Sequence, residues 1–89
     1  MKVERQLIKL SYDEGLYCYS GDIDFVIEGN EITDVNVWVE ITHNPDRDNY
    51  PEISFGKLVC NDEFSNEVIC PNYVNLIKNL EESLVFYYL

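Results

Sequence analysis

The sequence of 89 residues contains no alanine, one histidine, one tryptophan and only six basic side chains. It also has no apolar run close to the roughly 20 residues that a membrane-spanning helix needs. The first ten residues mix charged with apolar side chains, so we expect no signal peptide. The three cysteines, Cys18, Cys60 and Cys70, are odd in number and widely spaced, which favours a reducing compartment over a disulfide framework. Together these absences predict a cytoplasmic protein without a membrane partner.

The shortage of basic residues excludes a further group of functions. Asp and Glu number 17 against six Lys and Arg, so the net charge is -11. The basic side chains are scattered, whereas direct binding to nucleic acid or to an anionic membrane needs them clustered. We therefore expect a cationic partner, which on charge alone is either the groove of a basic protein or a metal ion. An alternative stays open, in which acidity serves solubility alone, although a magnitude of about 2–8 is sufficient for that in a small domain.

The sequence does contain enough apolar side chains for a folded domain. Hydrophobic residues make up 46% of the chain and aromatic residues 13%, which argues against disorder. No linker or repeat divides the chain, so we predict one domain over residues 1–89. The absence of alanine beside nine asparagines resembles the products of AT-rich genomes, many bacteriophage genes among them.

Alternation of apolar and polar residues predicts strands through most of the chain. Residues 3–12 are predicted as a strand, although helical spacing leaves a helix open, and residues 16–20 return after the turn Asp13-Glu14-Gly15. Residues 22–28 and 34–42 form a central hairpin, and residues 42–51 form a loop. Residues 52–60 are a further strand. That strand has Gly56 as a bulge and Ile53, Phe55 and Val59 on one side.

The register of the central hairpin depends on whether its loop has an odd or an even number of residues. Paired residues share a face, so a two-residue loop at Gly29-Asn30 would place polar residues opposite the core residues. A three-residue loop pairs Phe25 with Val35, and a five-residue loop pairs Ile27 with Val35. We therefore predict a loop of three or five residues.

Near the end of the chain, the spacing of the apolar residues changes from the alternation of a strand to the period of a helix. Pro71 suits the first helical position, and the following apolar residues have the spacing of an amphipathic helix. That face consists of Tyr73, Ile77, Leu80, Leu84 and Tyr87. The final apolar residues 85–89 either finish the helix or form a strand. The predicted fold class is α+β, an antiparallel sheet of about four to five strands with one C-terminal amphipathic helix packed on one face.

The hairpin face opposite the core is predicted to be acidic. It carries Asp22, Asp24, Glu28, Asp34, Asn36, Trp38, Glu40 and Thr42. The predicted partner-binding residues are Asp22, Asp24, Asp34, Trp38 and Glu40, with Glu28 and the loop residues Asp46 and Asp48 at the rim. Trp38 would serve as anchor, since tryptophan is enriched among binding hot spots. The alternative is a solvated face on which Trp38 fills a small secondary core.

Neither metal binding nor catalysis has a convincing motif. The loop from Asn44 resembles a calcium loop only in its alternating oxygens, because Asn49 replaces the required glycine and Phe55 the bidentate ligand. His43, Cys60 and Cys70 lack zinc-ligand spacing. With one histidine and no phosphate-binding or nucleophile motif, we expect no enzyme, no metal and no cofactor.

Two functional hypotheses follow from the sequence. The first is an acidic inhibitor that covers the phosphate-binding groove of a basic nuclease, restriction or CRISPR component, or toxin. The second is an adaptor or structural subunit that assembles through its apolar C-terminus, with a homodimer through Val85, Phe86, Tyr87, Tyr88 and Leu89.

Overall fold

A computed structural model describes residues 1–29 and 31–88 and shows a mixed α+β fold. Its elements are β1 (Lys2–Val3), β2 (Gln6–Asp13), β3 (Leu16–Glu28), β4 (Ile32–His43), β5 (Glu52–Asp62), β6 (Glu67–Val68), α1 (Tyr73–Ser83) and β7 (Leu84–Tyr88). The strands lie in the order β6-β5-β4-β3-β2-β7, with β1 also paired to β3. The fold class and the helix are confirmed. The predicted four to five strands were too few, because two-residue strands and β7 complete a seven-stranded sheet.

The first segment forms strands rather than a helix. Ile8 and Leu10 are buried while Leu7 is 73% exposed, so burial follows a period of two and the helical alternative is wrong. Both central residues of the turn after β2, Glu14 and Gly15, have positive φ, as a type I′ hairpin requires. The predicted strand is interrupted between β1 and β2, and β1 pairs with the far end of β3.

The central hairpin has the register of the three-residue loop. Phe25 lies opposite Val35 and Ile23 opposite Val37, so the prediction of an odd loop is confirmed and its five-residue form is not the one observed. Asn30, in the middle of that loop, lies outside the described residues. The two segments predicted at 16–20 and 22–28 are a single long strand, β3.

The predicted bulge in β5 is confirmed at Gly56. Val37 pairs with Leu58 and Val39 with Phe55, so two residues of β5 lie opposite one residue of β4. The extra residue reverses the side-chain alternation beyond it. The placement of Val59 beside Ile53 and Phe55 was therefore wrong, since Val59 lies opposite Asn36 on the other face of the sheet.

The helix begins two residues later than predicted, at Tyr73. Asn72 precedes it in the left-handed conformation, with φ 51° and ψ 55°, so Pro71 lies outside the helix. Leu76 and Leu80 are fully buried and Tyr73 is 55% exposed, which rotates the buried face away from the predicted one.

The helix ends at Ser83, and the apolar end of the chain becomes a strand. β7 runs parallel to β2, from Leu84 beside Gln6 to Tyr88 beside Leu10. The strand alternative is thus the observed one, and the sheet is not purely antiparallel as predicted. Leu89 lies outside the described residues.

Cys60 and Cys70 form a disulfide, with their Cα atoms 5.5 Å apart. This overturns the interpretation of the cysteines as free thiols and removes its support for a reducing compartment; only Cys18 is free among the described residues. The described residues contain no helix that is both long and apolar enough to cross a membrane.

The core lies between α1 and one face of the sheet. Leu76 and Leu80 of the helix pack against strand residues that are themselves almost completely buried. These are Ile8, Leu10, Ile23, Phe25, Ile27, Ile32, Val35, Val37, Val39, Ile41, Leu58, Cys60 and Leu84. The opposite face of the central hairpin therefore points away from the core.

Candidate functional site

The candidate site is the outward face of β3 and β4, called the acidic face below. It comprises Asp22, Asp24, Glu28, Asp34, Asn36, Trp38, Glu40 and Thr42. The pairing of Asp22 with Trp38 and of Asp24 with Asn36 puts the two strands' side chains on one face, as the alternation predicts. Asp34 and Asn36 are half-buried, and the other members are exposed.

Neutral donors orient several of these carboxylates. The Asn36 side-chain amide donates to Oδ1 of Asp24 at 2.8 Å. The Asn61 amide donates to Oδ2 of Asp34 at 3.3 Å, and the indole N–H of Trp38 donates to Oε1 of Glu40 at 3.3 Å. Amide and indole donors fix the position of a carboxylate without neutralising it, so the face keeps its negative charge.

Cations compensate little of that charge. Among residues 1–29 and 31–88 the structure contains one ion pair, between Nζ of Lys2 and Oε2 of Glu28 at 3.5 Å. Both side chains are largely exposed, and such surface pairs contribute little. The remaining carboxylates of the acidic face are therefore open to a cationic partner.

Trp38 lies on the acidic face beside the β-bulge. A Cβ atom built on Gly56 would be 3.3 Å from Cβ of Trp38, so the tryptophan packs directly over the glycine. Trp38 is 45% exposed and is not enclosed in the secondary core that the alternative required. Sequence reasoning found Gly56 and Trp38 separately but missed this contact, because it depends on the register between β4 and β5.

The loop after β4 is an ordinary turn. The Asp46 backbone N–H donates to Oδ1 of Asn44 at 3.1 Å, and the Asp48 N–H donates to the Asn44 carbonyl at 2.8 Å. Asp46 and Asp48 are both exposed, beyond the end of β4. Their assignment to the rim of a binding surface stays a prediction.

His43, considered from the sequence only as a zinc ligand, anchors this loop to β7. Its side chain is 8% exposed, with Nδ1 2.8 Å from the Tyr88 hydroxyl and Nε2 2.9 Å from the Asp48 carbonyl oxygen. The available signal was its position in β4, where it continues the buried alternation of Val39 and Ile41. Both ring nitrogens are engaged in structural hydrogen bonds.

Potential metal ligands do not converge in the described residues. No three His, Cys, Asp or Glu side chains of residues 1–29 and 31–88 come together as a metal site. Cys60 and Cys70 are bonded to each other, and His43 contacts Tyr88 instead. The combination considered for zinc is thus not assembled.

A cleft of about 450 Å³ borders the acidic face on the β2 side. Its lining combines Lys9 with hydroxyl, thiol and carboxylate groups of the three neighbouring strands. The polar members are Lys9, Ser11, Cys18, Ser20, Glu40 and Thr42. Lys9 places a positive charge at this margin, which sequence reasoning missed because residues 16–20 and 22–28 were predicted as separate segments, so that β2 was not placed beside the acidic face.

Comparison of the chain with models of protein families, with curated proteins and with solved structures finds no match. The surface itself offers oriented carboxylates and one exposed aromatic ring. Carboxylates attract cationic side chains, and an aromatic ring contributes area to an interface and can stack against arginine. The arrangement therefore suits recognition of a basic surface.

Proposed function

We propose that this protein is a non-catalytic inhibitor that binds a basic, nucleic-acid-handling protein and covers its phosphate-binding groove. The partner would be a nuclease, a restriction or CRISPR component, or a toxin. The observation that carries the proposal is the acidic face, whose carboxylates share one surface with the exposed Trp38; within residues 1–29 and 31–88, only Glu28 among them has a cationic partner. A bacteriophage origin fits the composition, and the site of action would be the cytoplasm of the host.

The spacing of the carboxylates supports the proposal. Alternate residues on a strand, such as Asp22 and Asp24, are separated by about 6.6–6.8 Å. Two successive phosphate steps of a DNA strand advance by about 6.8 Å along the axis. Because a groove for nucleic acid places its cationic side chains to match that repeat, carboxylates fixed on a sheet can occupy it.

Shape and charge density support it at a larger scale. The molecule measures 43 × 19 × 18 Å, so a net charge of -11 along its length is about one charge per 4 Å. One strand of DNA carries a charge about every 3.4 Å and a duplex about every 1.7 Å. The chain thus presents a charge density close to that of a single strand, and we expect it to compete with single-stranded nucleic acid most effectively.

Binding would combine steering with a central anchor. The field of the acidic face extends about 8 Å at physiological salt and accelerates the encounter with a basic groove. Trp38 then supplies contact area at the middle of the charged surface. Steering predicts a salt-sensitive association rate, whereas burial of Trp38 acts on the dissociation rate.

The test combines capture with neutralisation of the face. The tagged protein is used to capture partners from a lysate of the source cells, with elution by increasing salt and identification of what is retained. Association of the purified partner is then measured for the triple variant Asp24→Asn, Asp34→Asn and Glu40→Gln. The amide oxygens can still accept the hydrogen bonds from Asn36, Asn61 and Trp38, so the fold should persist.

We expect the triple variant to slow association about tenfold or more. A matched control changes Glu63, Glu81 and Glu82 to glutamine, which alters the net charge equally at exposed positions outside the acidic face. If both triple variants slow association equally, the slowing would be due to the change in net charge and not to the acidic face. Unchanged affinity in the first would exclude the acidic face as the binding site.

The alternative function is that of an adaptor or structural subunit assembled through the C-terminal strand. It is favoured by the exposure of Val85, Tyr87 and Tyr88, at 37%, 47% and 44%. It predicts a partner retained through the high-salt wash, because burial of apolar surface does not weaken with salt.

A further inference from the structure

β7 forms one margin of the sheet. Its hydrogen-bonded neighbour among the described residues is β2, with five consecutive pairs and no shift in register. The strand at the opposite margin, β6, has only two residues. A regular edge strand of five residues presents unpaired backbone N–H and C=O groups, which is a template for pairing with another chain.

This edge lacks the features with which monomeric proteins protect such strands. β7 contains no charged residue, no proline and no bulge. Val85 and Tyr87 are exposed on the outward face, and Leu7 lies beside Val85 with 73% of its surface exposed. The three side chains form an apolar surface, called the edge patch below, along the open margin of the sheet.

Basic side chains lie near the same edge, although Glu81 and Glu82 precede β7 at the end of α1. Half of the six basic residues lie within the first nine: Lys9 is in β2 beside β7, Arg5 directly precedes β2, and Lys2 is in β1, which pairs with β3. β3, the nearer strand of the acidic face, is two strands from β7, a distance of about 10 Å at the spacing of a sheet. That distance exceeds the Debye length of about 8 Å at physiological salt, so two such edges can approach with little repulsion.

We propose that β7 pairs antiparallel with β7 of a second copy of this chain and joins the two sheets into one. A twofold interface places the same surface on both sides, and β7 opposes uncharged residues to uncharged residues. The axis of such pairing is perpendicular to the sheet, so the edge patches of both copies adjoin on one side. The acidic faces of the two copies also point to that side of the joined sheet. Binding of one partner by both acidic faces rests on the proposed function, whereas the dimer itself does not.

Sedimentation over a wide concentration range tests the dimer. We expect the wild-type chain to convert from 10.4 kDa to twice that mass, and to do so at least as readily in high salt. Val85→Lys, at an exposed position beside the uncharged Leu7 of its own chain, places like charges close to each other across the pairing and should raise the dissociation constant about tenfold. Tyr50→Lys is the matched control, since Tyr50 is 82% exposed in the loop before β5 and should leave the dimer intact.

Hydrogen exchange of the wild-type chain provides a second test that needs no variant. The β7 amides should become more protected as concentration rises, while those of β6 should not change. A monomer at every concentration, a dimer equally resistant to both lysine substitutions, or a dimer without added protection in β7 would each overturn the inference. Loss of the dimer together with salt-sensitive capture of a basic partner would leave the proposed inhibitor role standing.

Discussion

At the scale of single residues, Gly56 determines where Trp38 lies. The glycine is one of two β5 residues opposite Trp38 in the bulge, and its missing side chain leaves the space that the tryptophan occupies. A Cβ there would lie 3.3 Å from Cβ and 3.4 Å from the carbonyl oxygen of Trp38. The backbone at Gly56 does not have positive φ, so contact with Trp38 is what an added methyl group would disturb.

Gly56→Ala should therefore displace Trp38 while leaving the sheet folded. We expect a changed emission spectrum, reported by the chain's single tryptophan, and a loss of stability of about 1 kcal/mol, the lower end of the range for overpacking. Gly21→Ala is the matched control, because its Cβ would meet the movable hydroxyl end of Tyr19 instead. An emission spectrum altered equally by both variants would contradict a specific contact between Gly56 and Trp38.

Gly56 also shows what a local sequence pattern can and cannot predict. A glycine inside an alternating run indicates a bulge, and the prediction at Gly56 is confirmed. The pattern does not state whether alternation reverses after it, so Val59 was placed on the wrong face. The partner strand decides that question, since two residues of β5 must lie opposite one of β4.

At the scale of elements, local contacts were predictable and distant ones were not. The requirement that apolar residues such as Phe25 and Val35 share a face predicted the register of the hairpin. That register in turn determines which residues lie on the acidic face. The choice between helix and strand after Ser83 depended on β2, which is far away in sequence and pairs with β7 in parallel. The contact between His43 and Tyr88 and the open edge of β7 also depend on residues far apart in the sequence, so neither could be predicted from it.

The disulfide is the other distant contact at this scale. Cys60 in β5 is bonded to Cys70, which lies between β6 and α1, so the bond joins the end of the sheet to the start of the helix. For a loop of this length, closure in the unfolded chain contributes about 3 kcal/mol. Reduction should lower the free energy of unfolding by that amount, as measured by urea denaturation with and without a reductant.

The free cysteine and the bonded pair supply the controls for that measurement. Cys18→Ser should keep the response to reductant, and Cys70→Ala should abolish it with a stability close to that of the reduced wild type. A wild-type protein indifferent to the reductant would exclude a stabilising role for the bond. The outcome also bears on the proposed site of action: a host cytoplasm is reducing, so an inhibitor acting there would have to stay folded with both thiols free.

At the scale of the whole molecule, the acidic face opposes stability. A net charge of -11 on a molecule of 43 × 19 × 18 Å creates self-repulsion, and one exposed ion pair does little to offset it within residues 1–29 and 31–88. The sheet nevertheless brings carboxylates of β3 and β4 to one face, where they repel one another at longer range although those paired across the two strands each lie opposite an uncharged residue. A role in solubility would be served as well by charge alone; the acidic face holds five of the 17 acidic residues, and their placement around the exposed Trp38 is what favours a role in binding.

This balance predicts opposite effects on stability and on binding. Adding salt should raise the melting temperature of the wild type by about 4–8 °C if screening recovers about 1 kcal/mol in a domain of this size. The triple variant Asp24→Asn, Asp34→Asn and Glu40→Gln should melt higher than the wild type at low salt, respond less to added salt, and bind its partner more weakly. The control variant of Glu63, Glu81 and Glu82 carries the same net charge and should gain less stability, because its changes lie outside the clustered face. A triple variant that melts lower than the wild type would show that the ionised carboxylates stabilise the fold, through the stronger hydrogen bonds that a charged acceptor forms with Asn36, Asn61 and Trp38. The acidic face would then be explained by structure rather than by a partner.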